Sequence, residues 1–407
     1  MKRFLLVSKL TLALLVLMNI QGAWAVDMGD ISVHGFVSQG YLKTDQNNFV
    51  DRTEDGTFEF NEAAINFSLE PMDSLRIGLQ LMSRDMGDSG NNDLYLDWGY
   101  ADYRWKDSLG FRVGQIKVPM GFYNQNRDVD FLRTFVFLPQ CIYNENYRAF
   151  RTAYRGVEVY GNIPMGSLGD MEYEVLLGTP EMDTDEPLFK GMFQLYALGI
   201  GTPTYKDADI YLDYGLASAL RWNTSVDGLR FGFSNLHAKV EADSTITGSP
   251  YTSGANVSFV WEQEYDYFYV LSSEYLWKNF KFAAEYSRKK SKTNYSYVGL
   301  VNRKSNTVAE SYYGSISYRF SDLLEIGTYY AENYPNVDDR DGSEQTSNNL
   351  MPQKDWTVSV RLDVLQNMSL KFETHFIDGV TDLLNVNHPD GFEDNFILYT
   401  AKCSVNF

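Results

Sequence analysis

The sequence predicts an all-β protein, a transmembrane antiparallel up-and-down β-barrel of about 16 strands with short turns on one rim and long loops on the other. Three observations lead there. Segments of alternating polar and apolar residues recur along the chain, seven short polar turns punctuate them, and an export-type leader opens the sequence with no membrane-length apolar run after it.

The leader comes first. Lys2 and Arg3 precede the apolar run Phe4 to Ile20, and the small-residue site Ala23-Trp24-Ala25 follows it. This pattern marks residues 1–25 as a cleaved signal peptide and 26–407 as the mature barrel, a single domain. The mean hydropathy of −0.32 would suit a soluble protein. A barrel strand has the same average, because lipid-facing and lumen-facing residues alternate along it.

The turns come next: Pro71 to Ser74, Lys106 to Leu109, Met165 to Gly169, Val226 to Gly228, Lys278-Asn279, Ser321-Asp322 and Gln366-Asn367. Their Asp, Asn, Gly and Ser content is tight-turn chemistry. Seven hairpins with one further strand at each end give about sixteen strands, an even number that can close, with both termini on the short-turn rim. Strands of roughly 9 to 13 residues suit a tilted bilayer span.

The alternation is clean in Trp356 to Val364, where Trp356, Val358, Val360, Leu362 and Val364 oppose Thr357, Ser359, Arg361 and Asp363. It recurs with Leu370, Phe372, Thr374 and Phe376 against Lys371, Glu373 and His375. Along one strand the large residues are aromatic at the ends (Tyr267, Tyr269, Tyr275, Trp277) and aliphatic between (Leu271), as two membrane interfaces require.

The chain carries 54 acidic against 35 basic residues, a formal charge of −19. Nucleic acid is thereby excluded as a partner. Acidic runs at 181–186 and 338–341 read as solvated loops, with divalent-cation bridging to lipopolysaccharide as the other reading. Cys141 and Cys403 fall too far apart in the pattern to bridge, and His34, His237, His375 and His388 have no metal-ligand spacing. No cofactor is expected. His375 beside Glu373 is the best catalytic pair available, and it reads as wall polarity, so no enzyme is expected.

The last strand places Phe407, Val405 and Tyr399 on one face of an aromatic-terminated end. This resembles the terminal signature of outer-membrane barrels, which the barrel assembly machinery reads by strand addition. The segment Phe111-Arg112-Val113-Gly114-Gln115-Ile116-Lys117-Val118-Pro119-Met120-Gly121-Phe122 resembles a recurring stretch of the phosphate-selective porin (O and P type) family. The resemblance implies a bacterial outer-membrane location, a homotrimer, lipid and lipopolysaccharide as surroundings, and a third extracellular loop beginning here.

That connection, 119–150, is rich in apolar residues, among them Phe122, Phe131, Leu132, Phe135, Val136 and Phe137. Folding it into the lumen as a constriction would bury them. Its candidate pore residues are Lys117, Arg127, Arg133, Arg148, Arg151 and Arg155, with Asp128, Asp130 and Glu145. Guanidinium groups in a narrow pore favour anions, whereas pairing with these acids would only pin the loop. Arg76, Arg84, Arg221, Arg319, Arg361, Lys371, Glu62, Asp97 and Glu373 are expected on the lumen wall. The expected function is passive diffusion of small polar or anionic solutes. The alternative is a non-conducting structural or adhesin barrel that binds a surface partner through loops 180–213 and 241–264.

Overall fold

The structure is a computed structural model that describes residues 31–407 except 51, 88–89, 181–203, 248–256, 298–300, 345–350, 382, 384–387 and 389–390; for 204–213, 242–247, 257–259, 295, 297 and 301–303 it describes only the main chain. The leader 1–25 lies outside the described residues. Sixteen strands close into one ring: β1 (Ser32–Thr44), β2 (Asn61–Met72), β3 (Leu75–Asp85), β4 (Leu94–Lys106), β5 (Leu109–Lys117), β6 (Ala153–Pro164), β7 (Asp170–Thr179), β8 (Thr204–Asn223), β9 (Leu229–Thr247), β10 (Val257–Trp277), β11 (Phe280–Tyr297), β12 (Val301–Arg319), β13 (Leu324–Tyr334), β14 (Gln353–Leu365), β15 (Met368–Asp378) and β16 (Asn395–Asn406).

Each strand pairs antiparallel with its sequence neighbours, and β1 closes on β16 from Phe36 opposite Asn406 to Thr44 opposite Leu398. All seven short turns fall between hairpin strands where the sequence puts them. Phe407 sits beside the seam, exchanging two 3.0 Å main-chain hydrogen bonds with Gly35. On β16 it shares the outward face of Tyr399 and Val405, which are exposed, while Leu398, Lys402 and Ser404 are buried.

The burial pattern is inverted relative to a soluble sheet. On β15, Lys371 and His375 are 0% exposed, whereas Phe372 is 50% and Phe376 47% exposed. The apolar face therefore looks outward, as only a lipid-facing wall can afford. Two aromatic girdles bound it. Along β10–β13, Tyr275, Trp277, Phe280, Phe282, Tyr318 and Phe320 line the short-turn side, and Tyr267, Tyr269, Tyr286, Tyr312 and Tyr330 line the loop side. No helix among the described residues is long and apolar enough to cross a membrane.

Two expectations need correction. Strand lengths of 9 to 13 residues hold for β1–β7 and β13–β16, but β8–β12 run to 18–21 residues. On β11 the outer end is polar on both faces, Lys290 to Asn294, so periodicity gives no strand signal there, yet ladder pairing continues. For the same reason the long loops expected at 180–213 and 241–264 are shortened. β8 begins at Thr204, β9 runs to Thr247 and β10 begins at Val257. The rest of those loops lies outside the described residues. Cys141 and Cys403 are separate free thiols.

Val358 faces outward within the apolar band, and Val358→Arg should lower barrel stability by about 2–4 kcal/mol. Denaturant titration of the protein folded into lipid vesicles checks this; an unchanged midpoint would mean that this face does not meet hydrocarbon.

Candidate functional site

The 35 residues from Val118 to Thr152 join β5 to β6, and they cross the lumen instead of projecting above it. Their path starts at Gly121 (φ +58°). A Cβ there would come within 2.2 Å of the Tyr143 hydroxyl and 2.9 Å of Glu285 Oε1, so only glycine permits the approach.

Glu285 on β11 is the first seat. Its carboxylate accepts the Phe122 amide (2.9 Å) and the hydroxyls of Ser272 (2.6 Å), Tyr143 (2.6 Å) and Tyr313 (2.9 Å). Beside it the Gly121 amide donates to Ser234 Oγ (2.8 Å), and Tyr123 donates to Glu274 (2.6 Å). Aromatic packing extends this seat, with Phe135, Leu138 and Phe150 buried against Tyr154, Tyr265, Phe268, Tyr313 and Tyr329 of the wall.

The second seat, on β15, is Glu373. It accepts the amides of Val136 (2.8 Å) and Phe137 (3.0 Å) and contacts His375 Nε2 (3.0 Å), whose Nδ1 is 3.0 Å from Asp355. Arg361 donates to the carbonyls of Phe131 (2.8 Å) and Arg133 (3.1 Å). Phe122, Phe135, Val136, Phe137 and Leu138 are thereby buried, although Val129 and Leu132 remain exposed.

Charge pairs complete the seating. Asp128 accepts from Lys117 (2.7 Å) and from Arg148, while Lys117 also reaches Asp97 (2.6 Å). Glu145 accepts from Arg127 (2.6 Å) and Arg84 (3.1 Å). Asp130 lies among Lys371 (3.2 Å), Arg133 (3.2 Å) and Lys402 (3.6 Å) and accepts from Ser404 (2.6 Å); Lys402 in turn pairs with Glu62 (2.7 Å). Arg151 stacks on Tyr147 and Phe268 at 4.5 and 4.8 Å.

Eight of the nine residues expected in the constriction are therefore together in the lumen: Lys117, Arg127, Arg133, Arg148, Arg151, Asp128, Asp130 and Glu145. Arg155 is the exception and a correction. It follows the inward Tyr154 on β6, so strand parity turns it to the face of Val157 and Ile163, where it donates to Gln115 (3.2 Å). All nine wall residues lie on the inward register. Arg76 stands opposite Asp102 in the β3–β4 ladder, Arg221 pairs with Glu174 (2.7 Å), and Arg319 with Asp363 (2.9 Å).

Glu285, Glu274, Lys402 and Asp355 were not singled out in the sequence, though each sits on a lumen-register position. Arg112, Arg230 and Lys281 were missed likewise. Their side chains, at 20%, 36% and 31% exposure, are basic groups that solvent reaches below the loop. One small cavity beside the loop, lined by Phe60, Arg127, Phe137, Glu145, Arg148 and Lys402, measures about 10 Å³, room for about one water.

Burial alone would raise the carboxyls of the loop. The guanidinium of Arg148 and ammonium of Lys117 override this and hold Asp128 well below the carboxylate range, and Lys371 and Lys402 do the same for Asp130. Arg127, Arg84 and Arg148 likewise hold Glu145 down to about 2. Groups lowered in this way contribute their full stabilisation above their ordinary values and lose it as the pH falls through the depressed ones. The loop should stay pinned at pH 5 and above and loosen between about pH 4 and 2. Pepsin cleavage of the loop at pH 2 but not at pH 4.5 is the expected readout, and equal resistance at both would contradict it. Asp130→Asn leaves buried Lys371 without its carboxylate, while Lys402 keeps Glu62, and should cost about 3–5 kcal/mol of loop seating. Chymotrypsin sensitivity in the loop at neutral pH measures it.

No protein-family model and no curated protein matches the sequence. Solved structures do. They include the outer membrane channel DcaP of Acinetobacter baumannii (11% identity, 95% of this chain and 100% of that one, TM-score 0.55) and an anion-selective porin from Comamonas acidovorans (11%, 93% and 99%, 0.54). The Salmonella typhi OmpF complex with daunomycin is a third (11%, 93% and 97%, 0.58). At such identities the likeness concerns architecture. A closed ring of sixteen strands, an apolar band between aromatic girdles and those neighbours together give this chain the fold of the bacterial outer-membrane porins.

Proposed function

We propose that the protein is an outer-membrane channel for passive diffusion of small polar solutes and ions, in which the β5–β6 loop is the constriction. The observation that supports this most is the charged interior. A barrel that served only as a structural wall would gain nothing from lining its lumen with ionisable groups, because each must be desolvated and paired. In a diffusion channel the same rows of opposite sign create a transverse field that favours polar solutes over apolar ones.

Selectivity on this reading is a mild preference for anions. Arg127 and Arg148 are spent on Glu145 and Asp128. The bias comes instead from how far the bases below the loop reach into solvent: Arg112, Arg230, Lys281 and Arg319 have side chains 20–37% exposed, whereas the six acids beside them, Asp102, Glu158, Glu174, Glu274, Glu325 and Asp363, are 0–17% exposed. A homotrimer fits the same reading.

A second reading is favoured by the dense seating of the loop against the wall: a barrel closed by it that serves as a surface-binding wall. Planar-bilayer recording of the folded protein separates the two. Stepwise currents are expected, and their absence would leave only the sealed barrel. In asymmetric KCl, Arg230→Ala with Arg319→Ala should shift the reversal potential toward cations, whereas Arg127→Ala with Arg148→Ala should mainly raise conductance and current noise as the loop loosens. A reversal potential insensitive to the first pair removes the proposed source of selectivity.

A further inference from the structure

In one sector of the lumen below the loop, the wall carries amides in place of charges. His34, Asn66 and Gln80 are direct neighbours across β1, β2 and β3, all on the inward register. Phe36 and Asn406 stand opposite each other at the β1–β16 seam, one step nearer the loop. Val129, Asp130 and Phe131 of the loop complete the pocket, which measures about 270 Å³. His34, at its short-turn end, is exposed.

Its hydrogen-bonding groups are held in place and under-used. Gln80 Nε2 donates to Asp97 (2.8 Å), which leaves the Gln80 carbonyl oxygen for the pocket, and Asn66 Nδ2 reaches that oxygen only at 3.5 Å. A bond of this length is weak, so a hydroxyl placed between the two amides replaces it at little cost. Asn406 Oδ1 is buried and has no donor among the described residues. The charges nearest the pocket are met by others. Asp130 lies against Lys371 and Arg133 and accepts from Ser404, Lys402 pairs with Glu62, and Asp97 with Lys117. Arg361, 5.9 Å from the Phe131 ring centre, is held by Asp363, and Arg76 stands opposite Asp102 four residues further from the loop than Gln80.

We infer that this pocket is a subsite for an uncharged, hydroxyl-rich solute of about one sugar ring. The inference rests on the channel reading, since the solute reaches the pocket along the lumen, and it adds a neutral class to the ions. Side-chain amides offer donors and acceptors together, which suits hydroxyl groups that are both at once. Phe36 and Phe131 supply apolar surface for the C–H faces of such a ring, and the volume lies just under the roughly 300–1,000 Å³ usual for small-molecule sites. An anion would meet the carboxylate of Asp130 with no base left over, and a cation would find its acids already paired. An apolar molecule would strip the amides of water and return no hydrogen bond.

Glucose is the probe. Saturation-transfer NMR reads its binding to protein folded in a detergent without a sugar headgroup, with sodium phosphate or cyclohexanol added as competitor. Wild type should transfer saturation to glucose, and neither competitor should displace it at equal concentration. Asn66→Leu should weaken glucose roughly ten-fold, the worth of about one hydrogen bond between neutral groups. His34→Leu takes its place should that variant not fold, and heat-modifiable migration verifies the barrel in each. Equal signals from wild type and the folded variants overturn the subsite, as does displacement by phosphate or by cyclohexanol. Bilayer recording keeps the two readings apart. Currents without a glucose signal sink the subsite alone, whereas a glucose signal that Asn66→Leu removes, in a barrel that passes no current, upholds the pocket and removes the channel.

Discussion

Main-chain amides cannot be left bare in hydrocarbon, where each unpaired group costs several kcal/mol. In this chain the constraint is met at the seam. The β1–β16 ladder and the paired amides of Gly35 and Phe407 remove the last two free edges. Once the ring is closed, strand parity alone divides the residues into two solvents. The outward register meets lipid, the inward register forms a narrow compartment in which the loop displaces water, and the connection that enters it must satisfy its own polar groups there.

That compartment explains the chemistry of the loop. A charge taken from water is tolerated only with a partner in good geometry, so the acids and bases of the lumen occur in contact, as Lys117 between Asp97 and Asp128 and as Asp130 between Lys371 and Arg133. Such pairs do little for net stability relative to apolar packing. They do fix where the loop lies, since any other position would strand buried charge. Aromatic contacts of Phe135 with Tyr329 and of Phe150 with Tyr265 supply the apolar share of the seating.

The architecture was legible because its signals are local. Asp, Asn and Gly at the turns and the two-residue alternation of β14 and β15 need no tertiary context. The site was legible only in part. Arg127 and Arg148 could be placed in the loop, but their partners belong to the fold. Arg155 was misplaced because its side of the wall depends on which residue begins β6, a matter of one position. Glu285 and Lys402 are single charges on inward positions, indistinguishable in sequence from ordinary wall polarity until the loop amides and Asp130 meet them. The outer end of β11, Lys290 to Asn294, is polar on both faces and carried no amphipathic signature.

At its two deepest seats the loop is held by its peptide groups. Glu285 takes the amide of Phe122, and Glu373 takes those of Val136 and Phe137. An amide is present whatever side chain a residue bears. Any residue but proline at 122, 136 and 137 that still packs there keeps the tether, so the side chains of the passage can be retuned without rebuilding the seat.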